Sequence, residues 1–481
     1  MKRNNLMHPA LACLFAVTSA MAYAEEALPE YTFIDAIKTG KNMTNFRLRY
    51  EHVDQEGLQP PTIVGTQPNP TANRDLEDGE GVTLRSLVGW QTAPYRNWSF
   101  AGQLINVTKF MDDFNDSTNG TLINSVSNQP GMVEYAKIVD PDYTGINQLY
   151  VDWTGIKNTR IRAGRQQLNV DNVRFIGDIG FRQVMQVFDG VTVLNKSLPD
   201  TEILLGHMER VKQITTKTRD DGALEIINLK YRLAPTESIV GYGYLSSFED
   251  LGFGRAWFGN AAGAGGLAAG KNGNVNQNAD QSNKIIGLRL DGIHPFNPNL
   301  RALYTAEYAK QTDYRGGDSR IDAHYYKVGG GVGIDNFALR VDQELLSSND
   351  SQYAFQTPFG TNHLFQGWVD KFLTTPVEGI RDSFITATYR YGDFTFFADY
   401  HVLKSDERFN QVGGGLGDKY GKEWNAAVAY NVSKELSAKF EYGKFTEDDH
   451  YALLPAANTV AGNRGRIRDT EKIWLSVMYT F

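Results

Sequence analysis

Arginines spaced two apart carry the first chemistry in this sequence. Arg47 and Arg49 alternate with Phe46, Leu48 and Tyr50, and Arg160 and Arg162 repeat the spacing. In an extended chain alternate side chains point to opposite faces. Each arginine pair therefore shares one face of a strand, and the apolar residues take the other. Arg85, Lys230, Arg232, Arg289 and Arg301 hold matching places in later segments. Asp342, Glu344, Asp382, Asp399, Glu423 and Glu441 do so in the C-terminal half. A guanidinium presents five donors in a planar fork that suits carboxylate and phosphate. A basic wall facing an acidic one sets up a transverse field that orients polar solutes, anions above all. The alternative is that these charges pair across neighbouring strands and only stiffen the molecule.

One segment concentrates the same chemistry. Gly164 to Val191 (GRQQLNVDNVRFIGDIGFRQVMQVFDGV) carries Arg165, Arg174 and Arg182 beside Asp171, Asp178 and Asp189. It also holds Phe175, Ile176, Ile179, Phe181, Val184 and Met185, too many apolar groups for a solvated loop. It is expected to fold inward and bring its charges to a narrow opening. The alternative is a loop lying over a rim.

The elements that must position these residues are strands. The final one reads IWLSVMYTF, with Ile473, Leu475, Val477, Tyr479 and Phe481 on one face and Lys472, Trp474, Ser476, Met478 and Thr480 on the other. Phe394-Phe396-Ala398-Tyr400-Val402 and Trp424-Ala426-Val428-Tyr430 repeat the pattern. Eighteen such segments can be placed between Met43 and Phe481. Short connections, such as Pro94–Arg96, Gly155–Lys157 and Gly392–Asp393, alternate with long ones, such as Asp54–Gly81, Met111–Thr144 and Ser347–Arg381. Almost no helical pattern exists to cover the apolar faces. The expectation is an all-β transmembrane antiparallel barrel of 18 strands, with short periplasmic turns, long extracellular loops and its apolar face toward lipid.

Composition agrees. The chain has 481 residues, of which 41% are apolar, and 24 tyrosines, 26 phenylalanines and 47 glycines. Mean hydropathy is −0.40. Past the first 24 residues no run approaches the roughly 20 apolar residues of a membrane-spanning helix. Residues 1–24 read as a cleaved signal peptide, with Lys2 and Arg3, an apolar run Ala10–Ala20 and Ala22-Tyr23-Ala24 before Glu25. Residues 25–42 then form a short periplasmic segment and 43–481 the barrel. The segment Glu25–Asn42 is too short for the plug of a gated receptor. Cys13 is the single cysteine, so disulfide and thiolate-metal chemistry are not expected after cleavage. Loss of Lys2 and Arg3 leaves 46 basic residues against 56 acidic ones, a net charge of −10 that argues against a nucleic-acid partner. No cofactor is expected. The expected partners are outer-membrane lipid and lipopolysaccharide, the barrel-assembly machinery reading Phe481, and a small anionic solute, with the chain a monomer.

Other chemistry is weaker. The eight histidines are scattered. His401, near Asp399 and Ser405, is the nearest approach to a hydrolase site, and a barrel-embedded hydrolase is not the favoured reading. Asp112-Asp113-Phe114-Asn115-Asp116 offers oxygen ligands without the spacing of a calcium loop. Gly263–Asn278 reads as a mobile surface loop.

The inward segment also carries a resemblance. Gly164-Arg165-Gln166, Asp171, Arg174-Phe175, Gly177, Phe181-Arg182-Gln183 and Phe188-Asp189-Gly190 resemble a motif of the alginate-export family of bacterial outer-membrane porins. Ile37, Gly40 and Phe46-Arg47-Leu48-Arg49-Tyr50-Glu51 are similar to that family's opening stretch. The specific motif covers about thirty residues. Phe181 stands where a Trp is expected, and no motif is diagnostic of alginate. Membership would imply an 18-stranded monomeric barrel and an arginine-rich pore for anionic solutes, alginate-like polyuronate among them. The pore-lining set is then Arg47, Arg49, Arg85, Arg160, Arg162, Arg165, Arg174, Arg182, Arg232, Asp171 and Asp189. A structural or adhesive barrel without an open pore is the rival.

Overall fold

The computed structural model describes residues 32–56, 63–64, 67–68, 76–116, 135–251, 279–411, 415–450 and 469–481. The expected signal peptide at 1–24 and the segment Gly263–Asn278 lie outside the described residues. Eighteen long strands form a closed antiparallel barrel. They are β1 (Asn45–Gln55), β2 (Gly79–Gln91), β3 (Trp98–Asp113), β4 (Tyr143–Trp153), β5 (Thr159–Gln166) and β6 (Val187–Asn195). Then follow β7 (Thr201–Lys212), β8 (Leu224–Ala234), β9 (Glu237–Ser246), β10 (Asn283–Pro295), β11 (Leu300–Asp313) and β12 (Asp322–Ile334). The circuit ends with β13 (Phe337–Leu346), β14 (Ile380–Tyr391), β15 (Phe394–Asn410), β16 (Leu416–Asn431), β17 (Leu436–Glu447) and β18 (Thr470–Thr480). Each strand pairs with the next, and β18 returns to β1 with Thr480 opposite Asn45 and Thr470 opposite Gln55. Closure leaves no free edge, so every backbone polar group in the wall finds a partner without water.

Alternation decides which face each residue takes. On β10, Ile286 and Leu288 are more than half exposed while Ile285 is buried, and on β13 Val341 is exposed while Asp342 and Glu344 are buried. Over most of the wall the outward residues are apolar, as lipid requires, and most charges face the lumen. Strands β15 and β16 are long, at 17 and 16 residues. Their ladder slips at Leu403/Lys404 and resumes at Phe409 opposite Gly417, with Lys404 ion-paired to Asp418 at 3.3 Å. A short helix, α1 (Phe33–Lys38), precedes β1 and is capped by Thr32, whose side chain accepts from the Asp35 N–H while the Asp35 carboxylate accepts from the Thr32 N–H.

The lumen is not empty. The connection between β5 and β6 (residues 167–186) folds into it, as its apolar residues required. A second connection, residues 347–379 between β13 and β14, does the same. Phe175 of the first loop lies among Tyr242, Tyr244, Tyr325 and Phe355, with ring centroids 5.4–6.1 Å away. Inside the barrel these rings form a core like that of a soluble protein.

Candidate functional site

Strand β1 turns Arg47, Arg49 and Glu51 into the lumen, and β2 turns in Thr83 and Arg85. Arg47 stands directly opposite Arg85 in the ladder. Two like charges at such a place repel, and the first loop supplies the acceptors that offset this. Arg47 Nη1 donates to the Gly180 carbonyl at 2.8 Å, and Nη2 to the carbonyls of Phe181 at 2.7 Å and Arg182 at 2.8 Å. Its Nε donates to Gln183 Oε1 at 3.0 Å. Gln183 Nε2 in turn donates to Thr83 Oγ1 at 2.8 Å. Residues 180–183 are thus fastened to the wall by one guanidinium.

The loop's own arginines reach other walls. Arg182 Nη1 meets Glu51 at 3.0 Å and its Nη2 meets Asp370 at 2.9 Å. Arg174 Nε lies 2.9 Å from Glu344 of β13, and its Nη2 donates to Gln366 Oε1 at 3.2 Å. Asp171 sits 3.4 Å from Arg289 and accepts from Asn228 Nδ2 at 2.5 Å. The two loops also join each other. Gly177 N–H donates to the Phe359 carbonyl at 2.8 Å, Gln186 Nε2 to both Gly177 and Phe359 carbonyls, and Thr361 N–H to the Val173 carbonyl at 2.9 Å. Phe181 stacks on His363 with ring centroids 3.4 Å apart.

Burial and charge set the protonation of the loops. Burial raises the Asp140 carboxyl, although Arg182 and Arg49 pull the other way. Burial also raises Asp178, against hydrogen bonds from Asn169 and the Gly180 N–H. Burial alone would raise Asp370, but His363, Lys472 and Arg182 hold it well below the usual carboxylate range. Burial lowers His363 despite its contact with Asp370 at 2.8 Å.

Most of the sequence-derived arginines are thus paired. Arg162 makes a two-pronged contact with Asp152 at 2.7 and 2.8 Å and lies over the Tyr150 ring. Arg160, one step nearer the short turns, shares its face. Arg232 pairs with Asp200 at 2.5 Å by the short-turn end and is mostly exposed, well away from the loops. Arg49 and Arg85 are only partly satisfied, Arg85 donating from Nη1 to the Gly180 carbonyl at 3.4 Å and from Nη2 to Asn45 Oδ1 at 3.5 Å. Both are nearly buried, and among the described residues Arg49 Nε and Nη1 and Arg85 Nε have no hydrogen-bond acceptor. Asp140 approaches Arg49 only to 3.5 Å, and the Arg49 guanidinium carbon lies over the Phe181 ring, 4.1 Å from its centroid.

Arg165 and Asp189 are corrected. The inward segment would place them in the pore, but the ladder runs through Gln166 and resumes at Val187. Arg165 stands opposite Leu149, which is more than half exposed on the outer wall, and opposite Asp189. The two therefore point outward, 2.7 Å apart, with Arg210 at 3.6 Å from Asp189. Glu51 and Glu344 were placed on the inward face from sequence, whereas Asp140, Asp370 and the whole second loop were not singled out. The signal available was the aromatic content of 347–379: Tyr353, Phe355, Phe359, Phe365, Trp368 and Phe372.

The weaker candidates are also placed. His401 Nδ1 contacts Asp382 at 2.8 Å and Nε2 faces Asp399 at 3.3 Å, while Ser405 Oγ donates to the Asp418 carbonyl. Asp116 pairs with Lys109 at 3.1 Å. Among the described residues no cluster of His, Cys, Asp and Glu has a metal-holding arrangement.

The architecture is a closed 18-stranded antiparallel barrel of the kind seen in solved outer-membrane porin structures. Among similar solved structures is OccK5 (OpdH) of Pseudomonas aeruginosa, at 14% identity and TM-score 0.56 over 92% of this chain and 98% of that one. OccK9 (OpdG) of the same organism matches at 13% and 0.60, over 92% and 98%. OccAB2 of Acinetobacter baumannii matches at 10% and 0.61, over 93% and 98%. At such identity the likeness is one of fold. No family model matches the chain, and no curated protein does. The solved structures named above are Occ and Opd proteins, and none of them is an alginate-export protein. The alginate-export resemblance therefore rests on its quoted residues alone.

Proposed function

We propose that this protein is a channel of the bacterial outer membrane that passes small anionic polar solutes such as carboxylates. The observation that carries the reading is the pair of nearly buried guanidiniums, Arg49 and Arg85, beside Arg47 in the lumen. Their N–H groups without acceptors are costly in a dry site. A water chain or a passing carboxylate supplies what the wall does not. The ordered ion pairs nearby keep the first loop in place, so these donors stay pre-positioned. Acidic saccharides are a finer form of the same reading, to which the alginate-export motif adds its weight.

A barrel without an open pore is the second reading, and the aromatic core between the two loops favours it. Planar-bilayer recording separates the two. A channel gives discrete conductance steps and a reversal potential on the anion side in a KCl gradient. Replacing Arg49 and Arg85 by Gln moves that potential toward the cation side, most at low salt, where screening is weakest. Absence of any steps leaves the closed barrel. Steps with unchanged selectivity in the double variant refute the role of these two arginines.

A further inference from the structure

Helix α1 has one feature the channel does not use. Phe33, Ile34 and Ile37 are 49%, 62% and 42% exposed, whereas Ala36 is fully buried. At 100° per residue the three lie within one third of the helix circumference, with Asp35 on the far side. The helix is also tied to a particular side of the barrel. Trp90 alternates with lumen-facing Leu87 and Gly89 and so leaves the outer wall. Its indole N–H donates to the Ile37 carbonyl at 2.8 Å. The Ala93 N–H donates to the Ala36 carbonyl at 2.8 Å, and Phe33 packs edge-on against Tyr95. These contacts hold α1 beside the outer wall at the turn between β2 and β3, the end that carries the short turns.

The same end of the outer wall carries Trp98, Phe100 and Trp153, and Trp98 and Trp153 touch with ring centroids 6.1 Å apart. Aromatic rings at this level form the girdle at a lipid–water boundary. The exposed face of α1 continues that girdle. Lys38 and Lys41, both exposed, follow at its C-terminal end, where lipid phosphates lie.

Resting on the outer-membrane reading above, we propose that α1 is an interfacial anchor. Its apolar face lies in the headgroup–acyl boundary of the periplasmic leaflet, and the partner is the phospholipid surface rather than periplasmic water. A second protein copy is a poor occupant. Six residues fall far short of the roughly 1,200–2,000 Å² that a stable protein interface buries. Short amphipathic helices with aromatic and aliphatic groups on one face and lysines beside them lie flat in this zone.

The test uses single-cysteine variants of the full chain in a Cys13→Ser background, labelled with an environment-sensitive fluorophore. They are reconstituted in phosphatidylethanolamine–phosphatidylglycerol vesicles with and without a shallow spin-labelled lipid. Ile34→Cys and Ile37→Cys report on the helix. Leu288→Cys, in the middle of the outer wall and 55% exposed, reports on the barrel. Asp35→Cys reports on the far side of α1. The expected result is blue-shifted, quenched emission at positions 34, 37 and 288, with weaker quenching at 35. Quenching at 288 but at neither 34 nor 37 overturns the anchor and leaves the channel standing. No quenching at 288 either overturns the membrane reading itself. Heat-modifiable migration of each variant confirms that it has folded.

Discussion

Arg174 of the first inward loop meets Glu344 on β13 at 2.9 Å, with 1% of either side chain exposed. The two are 170 positions apart in sequence, and neither lies where alternation alone would pair them. Around them Arg174 rests 4.5 Å from the Phe365 ring, and Gln366 contacts both partners.

Removing one partner of such a buried pair leaves an uncompensated charge and costs about 3–5 kcal/mol. Arg174→Ala is therefore not a pure change of pore charge. Residues 167–186 are expected to undock, read as new cleavage sites in limited proteolysis of the folded barrel. The double variant Arg174→Ala/Glu344→Ala recovers part of the loss, with a coupling of about 0.5–3 kcal/mol in the cycle. Equal and additive effects refute the pairing.

Docking of the second loop is expected to weaken in mild acid. Burial lowers the His363 pKa below its ordinary value of about 6.5. As pH falls through that value, the undocked loop takes up a proton before the docked one does. The contribution of His363 is therefore complete above about pH 6.5 and falls as the medium becomes more acidic. Hydrogen exchange of residues 347–379 at pH 7.5 and 5.5 measures it. His363→Gln flattens the difference, and an unchanged slope in that variant rules out His363 as the cause.

The outward placement of Arg165 and Asp189 has its own consequence. The double variant Arg165→Gln/Asp189→Asn should leave the reversal potential of the channel unchanged within error. A shift as large as that of the Arg49/Arg85 variant would return the pair to the lumen.

Gly164 adopts φ +126°, and a Cβ there would lie 2.3 Å from the Leu149 carbonyl. Gly164→Ala carries backbone strain of about 1–3 kcal/mol before that clash is counted. The barrel is expected to fold in lower yield, scored by the heat-modifiable fraction on gels. Normal yield contradicts the geometry.

Much of the fold was legible because lipid enforces the period of two with few exceptions. The count of eighteen strands and the outward faces of residues 394–402 and 424–430 follow from it. Inward folding of residues 167–186 was also legible, since Phe175 and Ile176 have nowhere else to go. The errors arose where two rules overlapped. Arg165 belongs by motif to the inward segment but by alternation to the outer face, opposite to Arg160 and Arg162, and the ladder prevailed. The second loop escaped notice because Phe355, Phe359 and Trp368 follow no period. Their partners on β12, the first loop and β15 are set by tertiary packing alone.

The contact between Gly177 and Phe359 joins loops rooted in different arcs of the wall, and Arg47, Glu51 and Glu344 tie those loops back to it. The result is a strut across a hollow cylinder. A cylinder braced along one diameter resists flattening in that direction and yields more readily at right angles to it. Any flattening of the cross-section is therefore expected to load the Arg174–Glu344 and Arg182–Glu51 ion pairs. The shape of the cross-section and the charge pattern inside it become a single mechanical variable.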